Sequence, residues 1–115
     1  MTKQTGSALE EVVILYTTWP DGGAAESAAH TLLEERLIAC ANIFPVGRSV
    51  FRWENRVQAE AETVALFKTS QARAGEARTR LTHLHPHDEP CILAVPANTA
   101  LSAPGFVSWV ANETG

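Results

Sequence analysis

Two segments with strand-type sequence lie between residues 42 and 68, and only Glu54 and Asn55 separate them. In the first segment Phe51 and Trp53 lie two positions apart, as side chains do on one face of a strand. Asn tolerates the positive φ of a tight turn, so the two segments predict a β-hairpin with long arms. A hairpin constrains the fold strongly, because its two strands must be neighbours in one antiparallel sheet.

A strand and a helix precede this hairpin. Residues 11–18 form a nearly continuous apolar run, which predicts a central strand covered on both sides. Asp21 is the expected N-cap of a helix whose apolar residues recur at helical spacing until near Ala39. Pro45 and Gly47 then predict a bend or bulge in the first hairpin strand.

A second helix and a fourth strand follow the hairpin. Thr69 or Ser70 is the expected N-cap of this helix, and Pro86 ends it. Residues 91–95 predict the fourth strand. Ser102 is the expected N-cap of a short C-terminal helix. That helix carries three large apolar residues on one face, namely Phe106, Trp109 and Val110.

The order strand, helix, strand, strand, helix, strand predicts an α+β fold, a ferredoxin-like βαββαβ sandwich. We expect a flexible tail over residues 1–8 and a single domain over residues 9–115, since this length supports one core. Both helices would cover one face of the sheet and leave the other face bare. An exposed apolar sheet face is a hazard for aggregation, so the pattern predicts self-association.

The charge of the chain and its first residues exclude several classes of protein. Thirteen acidic and nine basic residues among 115 give a net charge of −4, which argues against binding of nucleic-acid phosphates. The sequence contains no run of 18 apolar residues, so it predicts no membrane span. The first seven residues do not resemble a signal peptide. We therefore expect a cytoplasmic protein whose two cysteines are free, buried thiols.

Five segments together resemble the CutA family of divalent-cation tolerance proteins. They follow the family's order: residues 35–43 (ERLIACANI), 49–54 (SVFRWE), 62–69 (ETVALFKT), 85–90 (HPHDEP) and 106–110 (FVSWV). The resemblance implies a ferredoxin-like subunit that forms a tight homotrimer related in architecture to PII-type signalling proteins. In such a trimer the sheets pack around the threefold axis and the long hairpins brace neighbours. It also implies a protein without enzymatic activity, linked to tolerance of divalent cations and especially of copper.

Aromatic residues are the candidates for contacts between subunits, because aromatic side chains bury large areas at interfaces. The candidates are Phe51, Trp53 and Trp109. Burial in the core of a single subunit is the alternative for Phe51 and Trp53.

A dense set of possible metal ligands lies where the second helix ends, namely His83, His85, His87, Asp88, Glu89 and Cys91. Imidazole and thiolate ligands suit copper or zinc. We expect at best micromolar binding of copper or zinc through His85 with His83, His87 or Cys91, and no cofactor that the protein requires. The alternative is structural, because histidines near a helix C-terminus stabilise the helix end.

The resemblance also identifies positions linked to copper in the family, a cysteine late in the first strand and two adjacent histidines before the turn proline. In this chain they fall on Tyr16, Leu84 and His85, and only His85 is a residue of the ligand type. The resemblance therefore implies a shifted metal site, or none.

Two functions follow from these patterns and from the resemblance. The first is a small non-enzymatic trimer that acts in the response to, or tolerance of, divalent metal ions. The second is a PII-like regulatory or scaffolding trimer that binds a small ligand or a partner protein in the clefts between subunits. Catalysis through Cys91 or the histidine cluster is the least expected function. Cys40 is expected to pack in the core, because it lies among apolar residues with no histidine placed beside it.

Overall fold

The computed structural model describes residues 11–115, which form one four-stranded antiparallel sheet and three helices. The elements are β1 (Val12–Trp19), α1 (Gly22–Glu34), β2 (Cys40–Trp53), β3 (Arg56–Ser70), α2 (Gln71–Leu84), β4 (Ile92–Pro96) and α3 (Pro104–Glu113). The strand order β2-β3-β1-β4 confirms the predicted α+β, ferredoxin-like βαββαβ fold. The tail predicted over residues 1–8, and the predicted start of the domain at residue 9, lie outside the described residues. No helix in the described part of the chain is long and apolar enough to cross a membrane.

The core lies between α1, α2 and one face of the sheet. Alternate residues of the two central strands point into it: Val13, Leu15, Thr17 and Trp19 from β1, and Thr63, Ala65, Phe67 and Thr69 from β3. The buried hydroxyl groups have partners, since Thr17 Oγ1 donates to the Ala65 carbonyl over 2.8 Å and accepts from Trp19 Nε1 over 2.6 Å. Such bonds remove the penalty of burying polar groups.

The opposite face of the sheet is largely uncovered, and we call it the open face. Residues that are paired across neighbouring strands have their side chains on the same face of the sheet. The apolar residues on the open face are Ile14, Tyr16, Phe44, Val64, Leu66, Leu93 and Val95. Helix α3 covers only one end of it, where Val107 and Val110 bury Val12. The prediction that β1 is covered on both sides is therefore wrong for this face within the described chain.

The β2–β3 hairpin extends beyond the helices and gives the molecule extents of 54 × 27 × 22 Å. Its turn is the predicted one, because Glu54 and Asn55 both have positive φ, 50° and 64°, as turns that match strand twist require. The predicted bulge is also present, as a register shift between Phe44 and Gly47. Gly47 is needed there, since a Cβ atom on it would lie 2.5 Å from the Glu62 carbonyl oxygen.

Helix α1 ends at Glu34 and not near Ala39, so that predicted boundary is wrong. Arg36 adopts a left-handed conformation with φ of 58° and donates its N–H to the Leu33 carbonyl. The Leu37 N–H reaches the Leu32 carbonyl over 2.9 Å, which completes a Schellman-type C-cap. The following residues join the sheet, where the Ala39 N–H bonds to the Lys68 carbonyl.

The predicted caps have mixed outcomes. Asp21 caps α1 as expected, accepting from the Ala24 N–H over 2.8 Å. The hydroxyls of Thr69 and Ser102 make other bonds instead, donating to the Leu37 and Asn98 carbonyls. Ser70 holds the N-cap position of α2 without a capping bond from its side chain.

The predicted apolar face of the C-terminal helix is also only partly correct. Val110 is buried together with Val107, whereas Phe106 and Trp109 stay 44% and 41% exposed. Their rings pack against each other with centroids 5.4 Å apart.

Candidate functional site

The turn between α2 and β4 carries the densest group of titratable side chains predicted from the sequence. His85 is the C-cap of α2, and its N–H bonds to the Leu81 carbonyl over 2.9 Å. Its extended backbone, with ψ of 140°, takes the chain off the helix axis immediately before Pro86, the conformation favoured before a proline. This change of direction brings the His85 ring to the end of β1.

Both ring nitrogens of His85 are occupied by hydrogen bonds. Nε2 lies 2.7 Å from the Thr18 carbonyl oxygen, and Nδ1 accepts from the His87 backbone N–H over 3.1 Å. A carbonyl can only accept and a backbone N–H can only donate. The ring is therefore neutral, with its single proton on Nε2.

The His85 ring is also enclosed by aromatic neighbours and only 7% exposed. Its centroid lies 4.3 Å from that of the fully buried Trp19 and 5.0 Å from that of His87. Burial lowers the pKa of His85 below its ordinary value. His87 adds to this effect, while the bond to Thr18 and the charge of Glu62 oppose it. Low solvent access and the Nδ1 bond from the His87 N–H both favour the neutral ring.

The His87 ring lies beside the His85 ring, with centroids 5.0 Å apart, but the predicted ligands do not form a metal site around His85 in the described chain. The side chains of His83, His87 and Cys91 lie at exposed positions. Among residues 11–115, no group of three His, Cys, Asp or Glu side chains is arranged to hold a metal ion. The geometry of His85 does not fit a ligand, and the four-residue site of His83, His85, His87 and Cys91 stays a prediction.

The positions linked to copper by the resemblance do not converge either. Tyr16 lies on the open face, in register with Leu66 and Leu93. Leu84 packs against the core on the helical side of the sheet.

The cysteines differ from their expected burial. Both are free, but Cys91 is exposed, so its prediction as a buried thiol is wrong. Cys40 is half-buried opposite Lys68 on the open face, and burial raises the pKa of its thiol against the opposing charge of Lys68. A raised pKa disfavours the reactive thiolate, in line with packing rather than catalysis.

The aromatic candidates for subunit contacts lie at the surface of this single chain. Trp53 is 61% exposed near the hairpin tip, and Phe51 is half-buried on the same face. Core burial is therefore excluded for Trp53. A contact with a second subunit stays a prediction for Phe51, Trp53 and Trp109.

The sequence patterns do not identify Trp19 as part of this site, because the predicted first strand ends at Thr18. The alternation of Val13, Leu15 and Thr17 continues to Trp19, which is fully buried beneath the His85 ring. This alternation of inward-facing residues at every second position is the sequence signal that predicts burial of Trp19.

Comparisons with known proteins agree on one family. A profile of the family described as "CutA1 divalent ion tolerance protein" matches residues 13–113. The divalent-cation tolerance protein CutA of Pyrococcus horikoshii is 36% identical over 103 residues, which cover 90% of this chain and 98% of that protein.

Solved structures give the same result. The crystal structure of the divalent ion tolerance protein CutA1 from Ehrlichia chaffeensis superposes with a TM-score of 0.85 at 32% identity, covering 93% of this chain and 98% of that one. The structure of the periplasmic divalent cation tolerance protein CutA from Archaeoglobus fulgidus has a TM-score of 0.83 at 32% identity and covers 90% and 99%. The likeness thus spans nearly the whole of each protein.

Proposed function

The chain belongs to the CutA1 divalent ion tolerance family, and from this premise we propose that it acts in tolerance of divalent metal ions as a homotrimer without catalytic activity. The family supports the tolerance role. The resemblance to the family implies the threefold assembly, and the apolar surface of this chain supports self-association.

One observation carries the proposed assembly, namely the apolar open face. Leu93, Phe44 and Val95 are 61%, 52% and 45% exposed and lie on this same side of the sheet. Full burial of a large apolar side chain stabilises by about 1.5–3 kcal/mol, and about half of each of these three is exposed, so covering them contributes roughly 2–5 kcal/mol per subunit. Contiguous apolar surface of this kind marks an interaction site, and further copies of the chain carry the complementary surface.

The hairpin supplies a second surface for the same assembly. Val50 and Val57 are 68% and 66% exposed on one face of it, and Trp53 is 61% exposed on the other. A ring with cyclic symmetry places two different patches of each subunit in contact with its neighbours. The open face and the hairpin are two such patches.

Weak binding of copper or zinc is the second part of the proposal. The exposed donors His83, His87 and Cys91 are accessible, but they form no enclosed site with His85. Single imidazole or thiolate ligands hold copper or zinc far less tightly than a complete ligand set. Tolerance of metal ions would then act through the assembly and its partners rather than through tight, stoichiometric storage of metal.

Sedimentation of the full chain tests the assembly. We expect a species of three times the 12.4 kDa mass of the chain at low micromolar concentration. Leu93→Arg, which places a charge on the open face, should shift it to smaller species. The matched control Leu33→Arg changes a 41% exposed leucine on α1 and should leave the trimer intact. A folded wild-type monomer at that concentration would sink the proposal.

The metal content of untagged protein tests the second part. We expect substoichiometric copper and zinc as purified, and a micromolar dissociation constant by calorimetry. An intact trimer that binds neither metal, but binds a metabolite, would favour the regulatory alternative instead.

A further inference from the structure

We infer that His85 is a positioning residue and not a metal ligand: its neutral ring fastens the turn between α2 and β4 to β1, and any copper or zinc that the chain binds is held without it. The inference refines the metal part of the proposed function. It does not depend on the threefold assembly.

The nitrogen atoms of the His85 ring are already engaged in hydrogen bonds. An imidazole binds a metal through a nitrogen lone pair, and a neutral imidazole has only one such pair. In His85 that pair, on Nδ1, receives the His87 N–H, while Nε2 carries a proton directed at the Thr18 carbonyl. Coordination would therefore require loss of at least one of these bonds, and a change of tautomer if the metal were to bind Nε2.

The neighbours of the His85 ring also obstruct the approach of a metal ion. Trp19 and His87 flank the ring at centroid distances of 4.3 and 5.0 Å, and only 7% of the residue is exposed. Within the ring plane, where a metal must lie, the two approaches end at the main-chain atoms of Thr18 and His87. A metal could enter only after the turn had opened.

The His85 ring holds the end of β1 through a hydrogen bond instead of binding metal. β4 pairs with β1 only as far as the Thr17–Ile92 pair, so Thr18 lies one residue beyond this ladder. The Nε2 proton supplies a donor to its carbonyl there, and the Nδ1 bond fixes the path of the chain through His87. His85 thereby sets where the edge strand β4, with the open-face residue Leu93, begins.

The same geometry explains why a segment rich in histidine forms no metal site. His85 is folded inward as part of the helix end, and His83 and His87 are left at exposed positions. The structural alternative predicts that histidines stabilise the helix end through its dipole and its free carbonyls, but the neutral His85 ring bonds to the Thr18 carbonyl of β1 instead. The ring connects the helix end to the sheet.

Nitrogen-15 NMR of the imidazole rings in the full wild-type chain tests the ligand question directly, with zinc ion alone as the probe. His85→Gln identifies the His85 signals by their disappearance. We expect the Nε2-protonated pattern of His85 to remain unchanged through saturation with zinc, whether zinc shifts the rings of His83 and His87 or binds nowhere. A stoichiometric shift of either His85 nitrogen would overturn the inference.

Two substitutions test the positioning role, because each retains a different half of the hydrogen bonding. His85→Asn places an oxygen near the Nδ1 position and retains an acceptor for the His87 N–H. His85→Gln places an amide near the Nε2 position and retains a donor to the Thr18 carbonyl. We expect amide exchange at His87 to accelerate about tenfold in the Gln variant and to remain near the wild-type rate in the Asn variant.

Equal exchange rates at His87 in the two variants would refute the fastening role. Zinc affinity, measured by calorimetry on the same proteins, should stay within roughly twofold of wild type, whereas loss of a true ligand costs about tenfold or more. A fall of that size in both variants would contradict the exclusion of His85. Sedimentation of the same samples keeps the outcomes apart, since a missing trimer with intact His85 signals refutes the proposed assembly only.

Discussion

The buried hydroxyl of Thr17 connects β3 to the indole beneath the His85 ring, and its removal by Thr17→Val should have a measurable cost. Thr17 and Trp19 are both 0% exposed. Valine has nearly the shape of threonine but loses the 2.8 Å bond to the Ala65 carbonyl and leaves Trp19 Nε1–H without its acceptor. The lost bond costs about 1 kcal/mol, and the unsatisfied indole N–H about 1–3 kcal/mol. Part is regained because an apolar methyl replaces the hydroxyl, so we expect a net loss of roughly 2–3 kcal/mol.

Urea unfolding followed by tryptophan fluorescence and far-UV circular dichroism measures this loss. All proteins must be compared at one concentration, because the stability of an oligomer depends on it. Thr69→Val is the matched control: it also removes a buried hydroxyl bond, of 2.7 Å to the Leu37 carbonyl, but leaves no indole unsatisfied. We expect the control to lose at most about 1 kcal/mol.

A double-mutant cycle isolates the contribution of the indole. In Trp19→Phe the N–H donor is absent, so adding Thr17→Val should then cost about 1–2 kcal/mol less than it does in the wild-type background. The reasoning is refuted if Thr17→Val changes stability by less than about 0.5 kcal/mol, the range of ordinary surface substitutions. It is also refuted if the two substitutions are strictly additive.

Three further predictions concern pH, the bulge and the hairpin. Because burial lowers the pKa of folded His85 from its ordinary value of 6.5, the unfolded chain takes up this proton first. The His85 contribution is therefore present above about pH 6.5 and is lost as the pH falls, by at most about 1.4 kcal/mol per pH unit; urea curves of His85→Gln should lack this slope, and equal slopes would contradict the assignment. Gly47→Ala should lower the melting temperature, because its Cβ atom would lie 2.5 Å from the Glu62 carbonyl oxygen. Gly75→Ala is the control, because a Cβ atom at this exposed helix position would have no atom within 4 Å. It should raise the melting temperature by an amount equivalent to about 0.5–1 kcal/mol. Trp53→Ala should shift sedimentation toward smaller species, and an unaltered trimer of normal stability would show that this aromatic residue is not part of the interface.

Much of the fold could be predicted because its signals are local. The Asp21 cap, the turn at Glu54 and Asn55 and the bulge near Gly47 each depend on residues close together in the chain or on one backbone conformation. The period of the apolar residues is likewise a property of short windows. The order of elements, and with it the ferredoxin-like arrangement, follows from such signals.

One error comes from a distant group that competes for the same atom. The Thr69 hydroxyl has a cap's chemistry but bonds to Leu37, 32 positions away. The helix end at Glu34 is not predicted, because the left-handed arginine that follows it, Arg36, gives no signal of the kind that glycine gives after a C-cap.

The candidate site shows the same division. The sequence alone placed His83, His85, His87 and Cys91 within nine residues and established that their chemistry suits copper or zinc. Only the tertiary structure decided that the His85 ring packs on Trp19 and bonds to Thr18, 67 positions away. The sequence of a short segment determines which kinds of possible ligand atoms are present. Which of those atoms remain free depends on contacts between segments far apart in the chain, and these exist only once the sheet and helices have packed together.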